Sequence, residues 1–553
     1  SGKCPVVLTL HGTGVSANDQ ADAYKRQIRG EWLFGVEGAW VLAPDRHGAH
    51  NWEQTGFLHA VSSLEALGQL TGGDEDSADT LQVVYAGHSM GGHGAYHLAT
   101  HLPDMSLGVV ALAGWIKKEY YGDSNRFFLH DVADASTVPA LKSVLAATIT
   151  ENDADVMSGS LIGLPVLIRI GANDATVPPW QTRRMYRVLK TRGVDVQYSE
   201  IDNKEHWWWD TASSSDGGCI NDHEIRQFFQ RVLAAGPTPR VSHNLQFSVP
   251  NPAAHRGRSG VSVLQLSSRA TPGHVVGVRE GSRLSLSTTN VRRLSLTNAA
   301  KEVGVESLTL DGTSFDAQTT LALSGGATAI KKDGVWKVAM DAAVYWREQR
   351  SPMTYGPIRQ VTETSFAIFA TQDVQDQAVF LANLHMSAYD TPAPVYIDTL
   401  PSCLPFCNLI VIGQQAYNQS RHLLSAVAPR VDIHNHALVV GPCTFTGPAV
   451  GTAFLTPLHV ADGQSLDSSQ RHPGTLALII LGVDEQGLVN AVGLGVPTIP
   501  PMVRAPYANL FPDIVVTGPA TPRDGPGGFL AAGFWSNSWD FDPTLNFAPS
   551  CVP

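Results

Sequence analysis

Val83-Val84-Tyr85-Ala86-Gly87-His88-Ser89-Met90-Gly91-Gly92 decides how this chain is read. An apolar run, which reads as a buried strand, stops at Gly87. Ser89 follows, and Gly91 and Gly92 open a segment of helical character from 95 to 102. A strand, a sharp turn and a helix form the setting in which G-x-S-x-G becomes a nucleophile elbow. The spacing has a physical reason. A serine on so tight a turn has strained backbone, and the residues two positions to either side must be small for strand and helix to approach. The turn lifts the hydroxyl above the sheet and sets the next backbone N–H, that of Met90, beside the carbonyl under attack.

Upstream, residues 5–10 form an apolar strand that runs into His11-Gly12-Thr13-Gly14. A glycine turn directly after a strand presents backbone N–H groups, so Gly12 and Thr13 join Met90 as the expected oxyanion hole. Residues 39–44 read as the next strand, and Asn51-Trp52 lie just beyond it, where loops after parallel strands gather at the carboxyl edge. Residues 57–70 carry helical spacing through Leu58, Val61, Leu64, Leu67 and Leu70. His93, His97 and His101 follow the elbow four apart on one helix face. With no carboxylate or cysteine sharing their spacing they read as packing or exposed residues rather than metal ligands.

Downstream of the elbow, 108–114 and 165–170 read as strands, and the second delivers Gly171-Ala172-Asn173-Asp174 followed by Val177-Pro178. Residues 194–201 form the last strand, ahead of His206 and the run Trp207-Trp208-Trp209, and a helix over 223–235 closes the unit. Ser89, Asp174 and His206 therefore stand in the order Ser, Asp, His, each on a loop after a parallel strand. In such a set His206 takes the proton from Ser89 as it attacks and returns it to the leaving group. Asp174 fixes the imidazole tautomer and offsets its charge. Residues 115–162 break the alternation and read as a crossover insertion that helps form the substrate pocket. Trp52, Trp115, Trp207 and Trp208 are its expected aromatic lining, suited to an apolar or ring-bearing group.

A length of 553 residues suggests three domains. A formal net charge of −12 argues against a nucleic-acid or anionic-membrane surface. The apolar stretch 476–482 is far short of the roughly 20 residues of a membrane span. Residues 234–239 read as a linker. From 243 to 361 alternating β-branched patterns, with hairpin turns at Asp311-Gly312 and Asp333-Gly334, predict a β-sandwich. From 365 to 553 strand-like runs alternate with helical ones at 415–427 and 485–492, predicting a small α/β unit. Asp432, His434 and His436 would share one face of an extended strand there, a weak metal pattern on which no metal site is proposed. Ile410-Val411-Ile412-Gly413 lacks the further glycines of a dinucleotide fingerprint, so no cofactor is expected.

The six cysteines include Cys403 and Cys407, spaced for a small disulfide loop, and Cys443 with Cys551 as a second candidate pair. With the sequon Asn418-Gln419-Ser420, a glycosylation acceptor, they favour a secreted or extracellular setting over a cytoplasmic one.

Residues 1–235 resemble the catalytic domain of the prolyl oligopeptidase family of α/β-hydrolases and are also similar to esterases of the polyhydroxybutyrate-depolymerase type. The matching residues are His11-Gly12-Thr13-Gly14, Gly87-His88-Ser89-Met90-Gly91-Gly92, Gly171 and Asp174 with Val177-Pro178, and His206. The resemblance implies a mostly parallel sheet, a triad of Ser89, Asp174 and His206, and a serine hydrolase that cleaves a peptide or ester bond through an acyl-enzyme. A prolyl-oligopeptidase-like peptidase is the first expectation and a carboxylesterase the second. A structural or binding protein that keeps the scaffold is the reading from another class. The usual member of the superfamily has two strands before the one that here starts at Pro5. Residues 39–44 would then form an apolar sheet edge, to be covered by an N-terminal fragment of the same precursor or by a partner chain.

Overall fold

A computed structural model of the chain describes residues 3–29, 31–45, 51–73, 76–117, 137–208, 218–236, 243–297, 300, 304–339, 348–459, 475–495 and 511–551. Its first sheet has six strands: β1 (Cys4–Leu10), β2 (Trp40–Leu42), β3 (Ala78–His88), β4 (Ser106–Leu112), β5 (Pro165–Gly171) and β6 (Asp195–Ile201). Their order in space is β2-β1-β3-β4-β5-β6, and every pairing is parallel. Such a sheet is covered on both faces, which is why its central strands read as continuous apolar runs: Val6 to Leu10, Val83 to Ala86 and Leu107 to Leu112 are buried throughout. Helices α1 (Thr55–Leu70), α2 (Met90–His101), α3 (Pro139–Ile149), α4 (Trp180–Thr191) and α5 (His223–Ala235) fall within the same stretch of chain. β2 is the terminal strand of the sheet, with Trp40 at 36% exposure. A separate hairpin, Lys25–Ile28 with Glu31–Phe34, exposes Trp32, Leu33 and Phe34.

The crossover after β4 departs from the reading of 115–162 as a pocket element. Within it, α3 contributes Leu141, Leu145 and Ile149 to the apolar core of the C-terminal sheet rather than to the hydrolase-like one. Glu151 follows, ion-paired with Arg359 and accepting from Asn251 Nδ2 at 2.8 Å, so buried polar contacts tie the crossover to both of the later regions. The aromatics Tyr120, Tyr121, Phe127 and Phe128 lie outside the described residues.

Residues 244–339 form two sheets, one of four strands and one of five, that enclose a shared core including Phe247, Val261, Leu294, Leu308 and Trp336. Both foreseen hairpin turns are present. Asp311 and Asp333 have φ of 45° and 50° and each is followed by a glycine, giving two left-handed residues in succession as this turn requires. The short helix Ala317–Ser324 carries no legible apolar stripe, since of its buried residues Thr320, Leu323 and Ser324 only Leu323 is apolar.

The C-terminal sheet has eight strands, parallel from Val395–Ile397 through Phe366–Ala370 and Asn408–Ile412 to Leu476–Gly482, then antiparallel through Gly451–Pro457 to Phe541–Phe547. The helix expected over 415–427 is Gln414–Ser420 with one further turn, Arg421–Leu423. Beyond it Leu424 bridges to Leu458 and Ser425 N–H donates to Pro457, so tertiary pairing overrides local preference. His436 is corrected as well. It lies with Asn435 in a hairpin turn, both at positive φ, so it leaves the strand Val431–His434 on which Asp432 pairs with Arg421. Cys403 is bonded to Cys407 and Cys443 to Cys551, while Cys4 and Cys219 are free thiols.

Candidate active site

The turn between β3 and α2 holds Ser89 at φ 60° and ψ −119°, a conformation a side-chain-bearing residue adopts only under constraint. Two glycines make the turn possible. A Cβ on Gly87 would overlap the Gly91 carbonyl, and one on Gly91 would overlap the carbonyl of Leu10. Ser89 N–H donates to Leu112 at 2.8 Å, which ties the turn to the neighbouring strand β4. The hydroxyl is thereby fixed at the carboxyl edge of the sheet, 6% exposed.

The loops after β5 and β6 bring the other two groups to it. Ala172 N–H donates to Ile201 at 2.9 Å and Asn173 N–H to Lys204 at 2.8 Å, so the two loops are zipped backbone to backbone. Asp174 is buried. Its Oδ1 accepts from the N–H groups of Thr176 (2.8 Å) and Val177 (2.9 Å), which orients Oδ2 toward His206 Nδ1 at 2.7 Å. His206 Nε2 lies 2.9 Å from Ser89 Oγ. The imidazole is the exposed member of the set, with 23% of its side chain open to solvent. Three side chains from three loops thus form one continuous hydrogen-bonded line. Its geometry permits proton transfer from hydroxyl to imidazole, with the carboxylate bracing the far nitrogen.

The turn after β1 also lies beside Ser89. A Cβ on Gly12 would stand 3.1 Å from Ser89 Cβ and 3.7 Å from its Oγ, so this turn lies close against Ser89 and a side chain there would be tightly packed. Met90 is the first residue of α2, where helix N–H groups and the helix dipole favour negative charge. Gly12 and Met90 therefore lie beside Ser89, one from the turn after β1 and the other from the start of α2.

The tryptophans divide into two pairs. Trp52 and Trp115 are fully buried, which corrects their reading as pocket lining. Trp52 braces the glycine turn from behind, donating from Nε1 to the His11 carbonyl at 2.9 Å, and it holds a positive φ of 61°. Trp115 stacks on His93 with ring centres 4.8 Å apart. Trp207 and Trp208 are half-buried beside His206, and Trp209 lies outside the described residues.

His93, His97 and His101 are all buried, a packing role. His93 pairs with Glu53 at 3.0 Å, and the row continues through His101 to His255 at 5.9 Å between ring centres. Burial holds His97, His101 and His255 below the ordinary histidine range. Among the described residues no group of three His, Cys, Asp or Glu is placed to hold a metal ion. Asn418 stands exposed on the helix Gln414–Ser420, its Oδ1 accepting from Gln414 Nε2 at 3.2 Å.

Sequence reasoning missed His88. The residue between Gly87 and Ser89 is free in the motif, so its identity carries no signal, yet its ring is buried against both His206 and Trp207.

This arrangement agrees with a family comparison. Residues 46–235 match the model of the prolyl oligopeptidase family. A curated relative described as an uncharacterized secreted protein of Arthroderma benhamiae is 27% identical over 572 residues, covering 98% of this chain and 56% of its own length. The chain spans about half the length of that relative. Among solved structures, an S-formylglutathione hydrolase of Agrobacterium tumefaciens is 19% identical, covering 42% of this chain and 84% of its own, with a TM-score of 0.27. Pyrococcus horikoshii acylaminoacyl peptidase is 17% identical over 42% of this chain and 38% of its own, with a TM-score of 0.30. With its parallel sheet and strand–turn–helix elbow, the domain has an α/β-hydrolase-like fold. Among the described residues no helix is long and apolar enough to cross a membrane.

Proposed function

We propose that this chain is a serine hydrolase of the prolyl-oligopeptidase type that cleaves a peptide or ester bond through an acyl-enzyme on Ser89. One observation carries the reading: the unbroken line from Ser89 Oγ to His206 Nε2 (2.9 Å) and from His206 Nδ1 to Asp174 Oδ2 (2.7 Å). His206 removes the hydroxyl proton as Ser89 Oγ attacks the substrate carbonyl. The resulting oxyanion is met by N–H groups of Met90 and of the Gly12-Thr13 turn. The imidazolium, offset by Asp174, then protonates the leaving group, and water repeats the sequence to free the acid. Trp207 and Trp208 form the apolar rim on the His206 side.

The two disulfides and the description of the relative as a secreted protein support an extracellular setting, with Asn418 as a glycan acceptor. Fluorophosphonate labelling of the whole chain, followed by peptide mapping, tests the nucleophile. The adduct is expected on Ser89, and an intact folded protein that takes no label there refutes the proposal. A panel of prolyl amides against acyl esters then tests the bond type, with faster turnover of prolyl amides expected.

A further inference from the structure

We propose that His88 is a positioning residue for the general base, fixing the His206 loop to the strand that carries the nucleophile. This inference rests on the serine-hydrolase reading and adds to it a residue that never touches substrate. His88 is the last residue of β3, immediately before Ser89. Its Nε2 lies 2.7 Å from the backbone carbonyl of His206. A carbonyl only accepts, so Nε2 carries the proton and donates. The same ring is held on two further sides, with centres 4.7 Å from the His206 imidazole and 4.7 Å from the Trp207 indole, the latter edge-on at 83°.

The consequence is a closed circuit. From Ser89 the path runs one residue back to His88, across a hydrogen bond to the His206 carbonyl, and through the His206 ring to Ser89 Oγ. The Asn173-to-Lys204 hydrogen bond holds the same loop two residues earlier, so the backbone of the base is gripped on both sides of the turn. Without the His88 grip, the placing of the His206 backbone would rest on the Asn173–Lys204 hydrogen bond and on the Asp174 contact to the ring. Burial and the neighbouring His206 push the His88 imidazole down to about 3. It therefore stays neutral over the working range and does not place a second positive charge beside the imidazolium that forms during turnover. A Leu at this position would fill similar space but would leave the part-buried His206 carbonyl without its donor.

The experiment uses the full chain and an activated aryl ester. Loss of fluorophosphonate labelling in Ser89→Ala tests the underlying reading by itself, and a wild type that takes no label overturns both. With labelling established, His88→Leu, His88→Asn and His88→Gln are compared as folded proteins of matched circular dichroism. The Gln amide nitrogen stands near the place of imidazole Nε2, whereas the Asn amide stands near that of Nδ1. Misplacing the base by a fraction of an ångström is expected to lower kcat about 10- to 100-fold in His88→Leu and His88→Asn, with KM changed less than about threefold. His88→Gln is expected to recover most of that loss. Equal activity in all three variants, whether impaired or not, overturns the proposal. If His88→Leu fails to fold, the Gln–Asn contrast decides alone, because both retain a polar amide and differ only in where it points.

Discussion

The two α/β sheets of this chain are built alike and used differently. In the first, the turns at the carboxyl ends of β3, β5 and β6 leave Ser89, Asp174 and His206 aimed at one another. In the C-terminal sheet the corresponding turns spend their polar groups on the backbone. Gly413 N–H, after Asn408–Ile412, donates to Ile480 at 2.9 Å. Asp484, after Leu476–Gly482, caps its helix by accepting from Gly487 N–H at 2.7 Å and also holds Ala449 N–H at 2.9 Å. A strand, a turn and a helix are thus a chassis; chemistry appears where the turn residues are left facing each other rather than satisfied locally. The second sheet instead serves as a dock, since α3 from the crossover of the first lies in its core.

That contrast can be broken at either end. The largest effect is expected for Ser89→Ala, which should lower kcat/KM about a thousandfold or more while leaving the thermal midpoint within a few degrees. A variant retaining most of the activity would remove the first sheet from the chemistry. Next in size is Arg350→Met in the buried cluster of the C-terminal region, where Asp513 contacts both Arg350 and, at 3.3 Å, Arg269. Removing one partner of a buried ion pair costs about 3–5 kcal/mol, so denaturant midpoints should fall sharply while the folded fraction turns over normally. Unchanged stability would mean that the cluster is not structural.

A smaller effect concerns acid. His97, His101 and His255 have folded-state pKa values lowered by burial, so between those values and the unfolded value of about 6.5 the unfolded chain binds more protons. Their neutral packing is fully favourable above that range, and stability is lost as pH falls through it. Melting at pH 7.5 and pH 5 should show the loss, and His255→Leu should shrink it; an equal loss in the variant would assign it to other groups. The smallest effect is expected for Asp484→Ala. It removes the cap and should cost about 1 kcal/mol of stability, with kcat/KM unchanged. A fall in kcat/KM there would show that the C-terminal sheet takes part in the reaction.

The first sheet was legible because its signals are local. Apolar runs of strand length, glycines two positions from Ser89, and polar residues at strand ends each follow from backbone geometry at one place in the chain. The same holds for the Asp311-Gly312 and Asp333-Gly334 hairpins, where residues tolerant of positive φ stand in pairs. The expected helix over 415–427 failed at Leu424 because its end is set by pairing with Leu458, 34 positions away. Trp52 and Trp115 were misplaced for a related reason. An indole reads the same whether it lines a pocket or backs a turn, and only packing against His11 and His93 distinguishes the two.

By itself the sequence determined the parallel sheet, the elbow and the order Ser89, Asp174, His206, because strain, size and chain order are properties of neighbours. Tertiary structure alone decided that His88 donates to the His206 carbonyl, that α3 belongs to the core of another sheet, and that three histidines four apart are buried. Each of these depends on which distant surface removes a side chain from water, and desolvation is a property of the folded whole.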